Sequence, residues 1–309
     1  MSKDAEKLDF SGTPRAQTRI GSTDRAPLAG AFALVMSDVR NADGPPDNPT
    51  AIVGIPTPRD HQVACLEYAM KYLASLALAG LAATPLAAQE KDWSFSDGVS
   101  PERWATVNAA YGMCDAGLNQ SPIDLSAANA RGDLELETNF GETEGTIVLG
   151  KEQVQVNFPA GLGMNSGGKE FGLVQVHFHT PSEHAISGKR YPLVAHFVHA
   201  TETGELGVLG VMFEEGDANP ALDAIVAGVG AGKGAAVEFD VNDMVPENTG
   251  IYRYMGSLTT PPCSEGVNWH VADEVMTASA DQIAAMEANL GPSARSLQPL
   301  GTRLLVAPE

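Results

Sequence analysis

Histidines are concentrated in one short stretch of the sequence. The chain has seven, and five of them fall between residues 177 and 199: His177, His179, His184, His196 and His199. Alternating apolar and polar residues predict a strand at each end of this stretch. Because residues two apart in a strand point to the same side, His177 and His179 share one face, and the neighbouring strand can bring His196 beside them. The same pattern leaves His184 and His199 pointing elsewhere.

Three imidazoles that converge from adjacent strands suit a zinc ion. Zn²⁺ held by three histidines keeps its fourth tetrahedral position open to water, which is the arrangement of a catalytic zinc site. Two other interpretations stay open at this point. A His-x-His pair in a strand is more commonly structural, and the spacing of His177, His179 and Glu183 is also that of the metal motif of cupin barrels, in which the glutamate is a ligand.

The elements that must position these residues are short and mostly extended. Runs of alternating β-branched and aromatic residues predict strands over 154–158, 173–179, 193–199, 207–213, 236–241, 251–254 and 267–271. Helical periodicity occurs only near 101–110, 220–229 and 280–290. We therefore expect a single domain built on one extended sheet with small peripheral helices.

The composition is that of a folded, strongly acidic protein. Of the 309 residues 43% are hydrophobic, which is enough for a sizeable core. Asp and Glu outnumber Lys and Arg by 39 to 19, giving a formal charge of −20. Phosphate backbones repel such a chain on average, which argues against nucleic-acid binding. The longest apolar run, 72–88, is shorter than the roughly 20 residues that span a bilayer, which argues against a channel or transporter.

The N-terminal third does not have the pattern of a folded domain. Residues 1–69 show no strand or helix period, so we expect a disordered leader or an over-extended gene start. Residues 70–88 follow the order of a secretory signal peptide: the basic start Met70-Lys71, an apolar run, then Ala87 and Ala88. A buried helix is the alternative. The signal predicts export to a periplasm or outside the cell, with the working domain at 89–309.

The cysteines agree with export. Cleavage before residue 89 would remove Cys65 and leave Cys114 and Cys263. An even pair in an oxidising compartment predicts a disulfide between Cys114 and Cys263, the alternative being two buried thiols.

Several ordered motifs resemble those of one family, the exported, bacterial-type α-class carbonic anhydrases. Residues 177–184, His-Phe-His-Thr-Pro-Ser-Glu-His, are similar to its zinc segment, and residues 119–124, Asn-Gln-Ser-Pro-Ile-Asp, resemble its N-terminal signature. Residues 254–263 resemble the loop that closes the site, and Gln-Pro-Leu at 298–300 also fits. The resemblance runs from about Trp93 to Val306. It implies a mainly β, α+β fold: a large, mostly antiparallel twisted central sheet with small peripheral helices.

The resemblance also implies a reaction and a ligand set. The reaction is the reversible hydration of carbon dioxide to bicarbonate and a proton by a zinc-bound hydroxide, with ester hydrolysis as a side activity. The implied Zn²⁺ ligands are His177, His179 and His196. Thr259 is implied to accept the hydrogen bond of the hydroxide and to donate its own proton to Glu183, while its backbone N–H meets the developing bicarbonate oxygen. The implied partner is this small substrate, and the chain is expected to act as a monomer or as a homodimer.

Carbon dioxide is apolar and needs a dry wall. The residues that match the substrate-binding pocket of the family are Val198, Val208, Leu258, Thr260, Val267 and Trp269. Gln175 shares a strand face with His177 and matches an amide that supports the metal ligands.

Three positions depart from the family pattern. Val194 stands where the family has a glutamate that accepts the outer ring proton of the third zinc histidine, so zinc retention is expected to be weaker. The stretch before residue 154 lacks the histidine that carries protons to solvent, which leaves Glu152 as a weaker relay. Phe95 stands where a tyrosine is common. These losses keep a non-catalytic binding module as the alternative, but the presence of all three histidines with Thr259 and Glu183 favours the enzyme.

Overall fold

One large sheet carries the fold of the described chain. The computed structural model describes residues 91–309 apart from residues 97, 135, 248 and 249. The predicted leader, the predicted signal peptide and Cys65 lie outside these residues. Within them, 13 strands join in a single sheet and the helices are few and small. The mainly β, single-domain prediction is confirmed.

The strands are short at both edges of the sheet and longest at its centre. They are β1 (Ala130–Arg131), β2 (Leu136–Thr138), β3 (Glu142–Gly150), β4 (Gln153–Asn157), β5 (Gly163–Ser166), β6 (Lys169–His179), β7 (Leu193–Ala200), β8 (Leu206–Glu215), β9 (Ala236–Asp240), β10 (Ile251–Ser257), β11 (Glu265–Ala272), β12 (Met276–Ala278) and β13 (Leu305–Ala307).

Neighbouring strands follow the order β1-β13-β10-β11-β8-β7-β6-β4-β3-β9. Strand β12 pairs with β8, and β5 joins β2 to β6. The pairings are antiparallel except for β1 with β13, β8 with β11 and β8 with β12. The two longest strands, β6 and β8, therefore flank β7 near the middle of the sheet, and β6 and β7 carry His177, His179, His196 and His199.

The helices are α1 (Trp104–Val107), α2 (Met113–Ala116), α3 (Pro220–Ala231) and α4 (Ala280–Leu290). Helix α3 begins after Asn219, whose side chain accepts the N–H of Leu222. Helix α4 begins with a capping box between Ser279 and Gln282 and ends at Gly291, where φ is +57°. Both long helices lie where the sequence predicts them, because their caps and periodicity are local.

Strand alternation separates the two faces of the sheet. One face packs Phe178, Phe197 and Leu209 with Leu222 of α3 and Met286 of α4 in a single apolar cluster. The other face holds a second cluster, which includes Val194, Val208, Met212, Val267 and Trp269. Because His177, His179 and His196 have the opposite parity to Phe178 and Phe197, they lie on the side of the second cluster.

The structure corrects part of the sequence prediction. Near 101–110, where periodicity indicates helical structure, the chain forms a 3₁₀ turn over Pro101–Arg103, helix α1 and a second 3₁₀ turn over Ala109–Tyr111. The break falls at Asn108, whose extended backbone places its side chain where it accepts the N–H of Ala110. Strand β3 was not predicted, because Gly145 and three glutamate or threonine residues on its exposed side obscure the alternation.

No helix in the described part of the chain has the length and the apolar character needed to cross a membrane.

Candidate metal centre

Register places three imidazoles together. His177 of β6 pairs directly with His196 of β7, and His179 follows two residues later on the same face of β6. One ring nitrogen of each of these histidines lies within 4.8 Å of the others. The predicted grouping from adjacent strands is therefore present, and among the described residues no second group of this kind occurs.

Hydrogen bonds fix the ring protons of two of these histidines. The Nδ1 atom of His179 lies 2.6 Å from the carbonyl oxygen of Ser293, and Nδ1 of His177 lies 3.0 Å from Oε1 of Gln175. Since both oxygens can only accept, each Nδ1 carries the proton and each Nε2 presents a lone pair. Nε2 of His179 is buried without a hydrogen-bond partner among the described residues, so its lone pair is available to a metal ion.

Burial keeps all three imidazoles neutral. It lowers the pKa of His177 to about 3 and that of His179 to about 4, and it holds the pKa of His196 well below its usual range. Metal ions bind the deprotonated nitrogen, so neutral rings at physiological pH favour metal binding.

His196 differs from the other two in its outer contacts. Both of its ring nitrogens are buried and neither has a hydrogen-bond partner in the described chain. Val194, two residues earlier on the same face, is apolar and 1% exposed.

His184 lies nearby, with its ring centroid 6.3 Å from that of His196. Its Nε2 contacts the Tyr254 hydroxyl at 2.7 Å, while its Nδ1 is also buried and unpartnered. His184 is therefore not one of the three converging histidines, as predicted, but it lies next to them. His199 lies on the opposite face of the sheet.

A buried carboxylate lies beside the metal cluster. Glu183 is completely buried, and its Oε2 is 3.5 Å from Nε2 of His179 and 3.8 Å from Nδ1 of His196. Its Oε1 accepts the backbone N–H of Arg295 at 3.0 Å. Burial raises the pKa of Glu183 to about 7, and hydrogen bonding from the Thr259 side chain and from Arg295 opposes the rise.

A cavity of about 230 Å³ opens over the histidines. His177 and His179 form part of its wall, together with Gln175, Val198, Leu258 and Thr260. The other predicted pocket residues, Val208, Val267 and Trp269, do not line this cavity. They are about 2% exposed and belong to the apolar cluster against which Val198 and Leu258 pack. The apolar wall is thus two layers deep.

Residues 91–95, here called the N-terminal segment, form part of the rim of this cavity, and contacts with Glu152 hold them there. Oε1 of Glu152 accepts from the Ser94 hydroxyl at 2.8 Å, Oε2 accepts from the Phe95 N–H at 3.1 Å, and Lys91 Nζ lies 3.6 Å from Oε2. Burial alone would raise the pKa of Glu152, but these hydrogen bonds and the Lys91 charge outweigh it and hold the pKa below its usual range. Phe95 packs edge-on against His179, with ring centroids 5.9 Å apart.

The structure contains the predicted disulfide between Cys114 and Cys263. Cys263 lies in the loop between β10 and β11 that also carries Thr259, and its N–H donates to the carbonyl oxygen of Thr260 at 2.9 Å. The disulfide therefore joins this loop to helix α2, and it fits an oxidising compartment.

Sequence reasoning missed the residues that hold the site from a distance. Ser293 and Arg295 lie more than 100 residues from the groups that they contact, and they act through a backbone carbonyl and a backbone N–H. No residue type marks such contacts. Gln155, by contrast, pairs with His177 across β4 and β6 and lines the cavity, so strand parity could have indicated it.

The fold and the site together provide three imidazoles positioned to hold a metal ion. The central sheet brings three neutral imidazoles together, two of them, His177 and His179, line the cavity, and a buried carboxylate lies beside all three. This geometry matches three protein ligands with one position left open.

Comparison with known proteins identifies the family. The profile of the eukaryotic-type carbonic anhydrases matches residues 99–306. A carbonic anhydrase of Pectobacterium atrosepticum is 36% identical over 220 residues, which cover 69% of this chain and 90% of that protein. The structure of a hyperthermostable carbonic anhydrase from a hydrothermal vent chimney is similar with a TM-score of 0.66 at 38% identity, covering 70% of this chain and all of that one (100%).

A third relative is the α-carbonic anhydrase of Thermovibrio ammonificans in complex with the inhibitor sulfanilamide. Its TM-score is 0.63 at 35% identity, with 69% of this chain and 98% of that chain covered. The chain belongs to the α-class carbonic anhydrase family, whose members are lyases. This result excludes the cupin interpretation.

Proposed function

We propose that this protein catalyses the reversible hydration of carbon dioxide to bicarbonate and a proton. The observation that carries the proposal is the convergence of three neutral histidines beside the buried Glu183, with Thr259 in the adjoining loop. A module that only binds a ligand has no need for this combination.

The residues present fit Zn²⁺. His177, His179 and His196 would hold the ion, since nitrogen is a preferred zinc ligand and the available lone pairs converge. A second observation supports this assignment: Nε2 of His179 and Nδ1 of His196 are buried and have no hydrogen-bond partner in the described structure, as expected of nitrogens that bind a metal ion. Bound to three neutral imidazoles, Zn²⁺ lowers the pKa of water to about 7 and so supplies hydroxide at neutral pH.

Thr259 and Glu183 would aim this nucleophile. When Glu183 is ionised it can only accept, so the Thr259 hydroxyl donates to it and Thr259 Oγ1 is left as an acceptor. Thr259 Oγ1 would then accept a hydrogen bond from the attacking hydroxide, so that a lone pair of the hydroxide would face the substrate. The charge of a Zn²⁺ ion held by the three histidines would favour the carboxylate form of Glu183. The Thr259 backbone N–H would stabilise the charge that develops on the bicarbonate oxygen.

Apolar side chains would admit carbon dioxide and exclude water. Val198 and Leu258 line the cavity, and Val208, Val267 and Trp269 support them from behind. Thr260 would contact the substrate from the polar side. Gln175 would orient His177 by accepting its Nδ1 proton.

The route of the proton to solvent is the weak point of this site. The Glu152 carboxylate already accepts hydrogen bonds from Ser94 and Phe95. Its lowered pKa also makes it a poor proton acceptor from water of pKa about 7. We therefore assign Glu152 mainly to holding the cavity rim, and we expect external buffer to carry the proton.

Three further properties follow from the proposal. Weak ester hydrolysis would use the same hydroxide. Cleavage of a signal peptide at residues 70–88 would deliver domain 89–309 to a periplasm or outside the cell, in agreement with the disulfide. The chain would act as a monomer or a homodimer.

Stopped-flow hydration of carbon dioxide by the purified chain tests the proposal, with zinc content measured on the same sample. We expect activity with about one zinc per chain, and inhibition by sulfanilamide, which the Thermovibrio relative binds. Protein that carries zinc but lacks hydration activity would contradict the proposal and favour the binding module instead.

A further inference from the structure

A guanidinium group lies behind Glu183 and outside the cavity. Nη1 of Arg190 donates to the carbonyl oxygen of Ser182 at 3.1 Å, and Nη2 donates to the carbonyl oxygen of Arg295 at 2.7 Å. Ser182 directly precedes Glu183, and the N–H of Arg295 donates to Glu183 Oε1 at 3.0 Å. The two branches of Arg190 therefore hold the two residues that determine where the Glu183 carboxylate lies.

The two segments that Arg190 joins are distant in sequence. They also meet at Thr180 and Ser293, where the Ser293 N–H donates to the Thr180 carbonyl at 2.8 Å and the Thr180 N–H donates to Ser293 Oγ at 3.1 Å. Those bonds fix the segments beside His179. Arg190 provides the corresponding connection on the Glu183 side.

Arginine is suited to this position by its shape. Its planar group offers several N–H donors in a rigid fork, so that one side chain can hold two carbonyls in a defined geometry. A lysine has a single nitrogen on a flexible stem and cannot reproduce this arrangement. The charge of Arg190 also acts on Glu183 by favouring the carboxylate.

We propose that Arg190 is a positioning residue for the reaction: by joining the Ser182 and Arg295 carbonyls it fixes the Glu183 carboxylate that orients Thr259. The inference rests on the proposed function, because Glu183 matters for hydration only as the acceptor for Thr259. Arg190 itself touches neither the metal ligands nor the cavity in the described structure.

Kinetics of two variants test the proposal. Arg190→Met keeps the apolar stem and removes both hydrogen bonds, whereas Arg190→Lys can keep one. For Arg190→Met we expect kcat/KM for carbon dioxide to fall about 10-fold, with zinc affinity within twofold of the wild type and the buffer dependence of kcat unchanged. Arg190→Lys should recover part of the loss. Lys189→Met is the matched control, because the Lys189 side chain is exposed and its ammonium contacts Glu214 at 3.6 Å and the Tyr191 ring at 4.3 Å, not Ser182 or Arg295.

Hydrogen exchange of zinc-free protein supplies a measurement that does not depend on activity. In Arg190→Met the Arg295 amide, which is bonded to Glu183, should exchange at least about 10-fold faster. The Ser293 amide, which is bonded to Thr180, should keep its wild-type rate. Unchanged exchange at Arg295, equal acceleration at Ser293, or an unchanged kcat/KM would each overturn the proposal. If zinc-loaded wild type is inactive, the proposed function fails, whereas exchange at Arg295 still reports whether Arg190 holds Glu183.

Discussion

Replacing Val194 by glutamate should tighten zinc binding. Val194 lies two residues before His196 on the same strand face and is 1% exposed. Nε2 of His196 and Nδ1 of His184 are both buried and lack partners in the described chain. A carboxylate at position 194 could accept a hydrogen bond from each, which would fix the ring of His196 and make it a stronger donor to the metal.

The expected size follows from two opposing effects. Contacts of this kind change metal affinity by about 10- to 100-fold, which corresponds to roughly 1.4–2.7 kcal/mol. Burial of a carboxylate costs several kcal/mol unless its oxygens are paired, and it is least unfavourable when positive charge is close. We therefore expect Val194→Glu to lower the Kd for zinc about 10-fold or more and to lower the unfolding temperature of the zinc-free protein.

Competition with a chelator of known zinc affinity measures the effect, alongside thermal unfolding of the zinc-free and zinc-loaded forms. Val194→Met is the matched control, because methionine has the length of glutamate and no carboxylate oxygen. If Val194→Glu folds and binds zinc no more tightly than the wild type, or if Val194→Met tightens binding equally, the reasoning about the unpartnered His196 nitrogen is refuted.

Further predictions concern proton transfer, the nucleophile and acid stability. Imidazole buffer should raise kcat several-fold, and Glu152→Gln should leave that response unchanged, since Glu152 holds Ser94 and Phe95; turnover independent of buffer would contradict this. Thr259→Val should lower kcat/KM about 100-fold at unchanged zinc content, measured by stopped flow. Burial lowers the pKa of His270 from 6.5 to about 3. Below about pH 6.5 the unfolded chain therefore binds more protons than the folded chain, and the stability of the fold decreases as the pH is lowered. Between pH 7.5 and pH 5 the free energy of unfolding, measured with urea, should therefore fall by about 2 kcal/mol less in His270→Gln than in the wild type. An equal fall in both proteins would exclude His270 as a cause of acid instability.

The grouping of the three imidazoles was predictable because its signal is local. A strand places alternate residues on one side, so His177 and His179 had to share a face whatever their surroundings. The caps of α3 and α4 are equally local, and both helices lie where periodicity placed them. Near 101–110 the periodicity indicates helical structure but not where it is interrupted: the Asn108 side chain accepts a backbone N–H and breaks the helix, and an average over ten positions does not reveal one such residue.

The cavity wall shows a second limit. Parity placed Val267 and Trp269 correctly on the metal side of the sheet, but it did not distinguish residues that line the cavity from those that pack behind it. That distinction depends on which side chains of other strands cover them, and alternation within one strand carries no information about it.

The sequence by itself determined the family motifs, the faces of the central strands and the identity of the three imidazoles. Only the tertiary structure decided how they are held: which carbonyl fixes the proton of His179, which N–H binds Glu183 and which guanidinium joins the two segments. The physical reason is that these contacts use backbone groups of residues more than 100 positions away. Every residue type except proline offers the same N–H and C=O, so such a partner leaves no mark in the sequence.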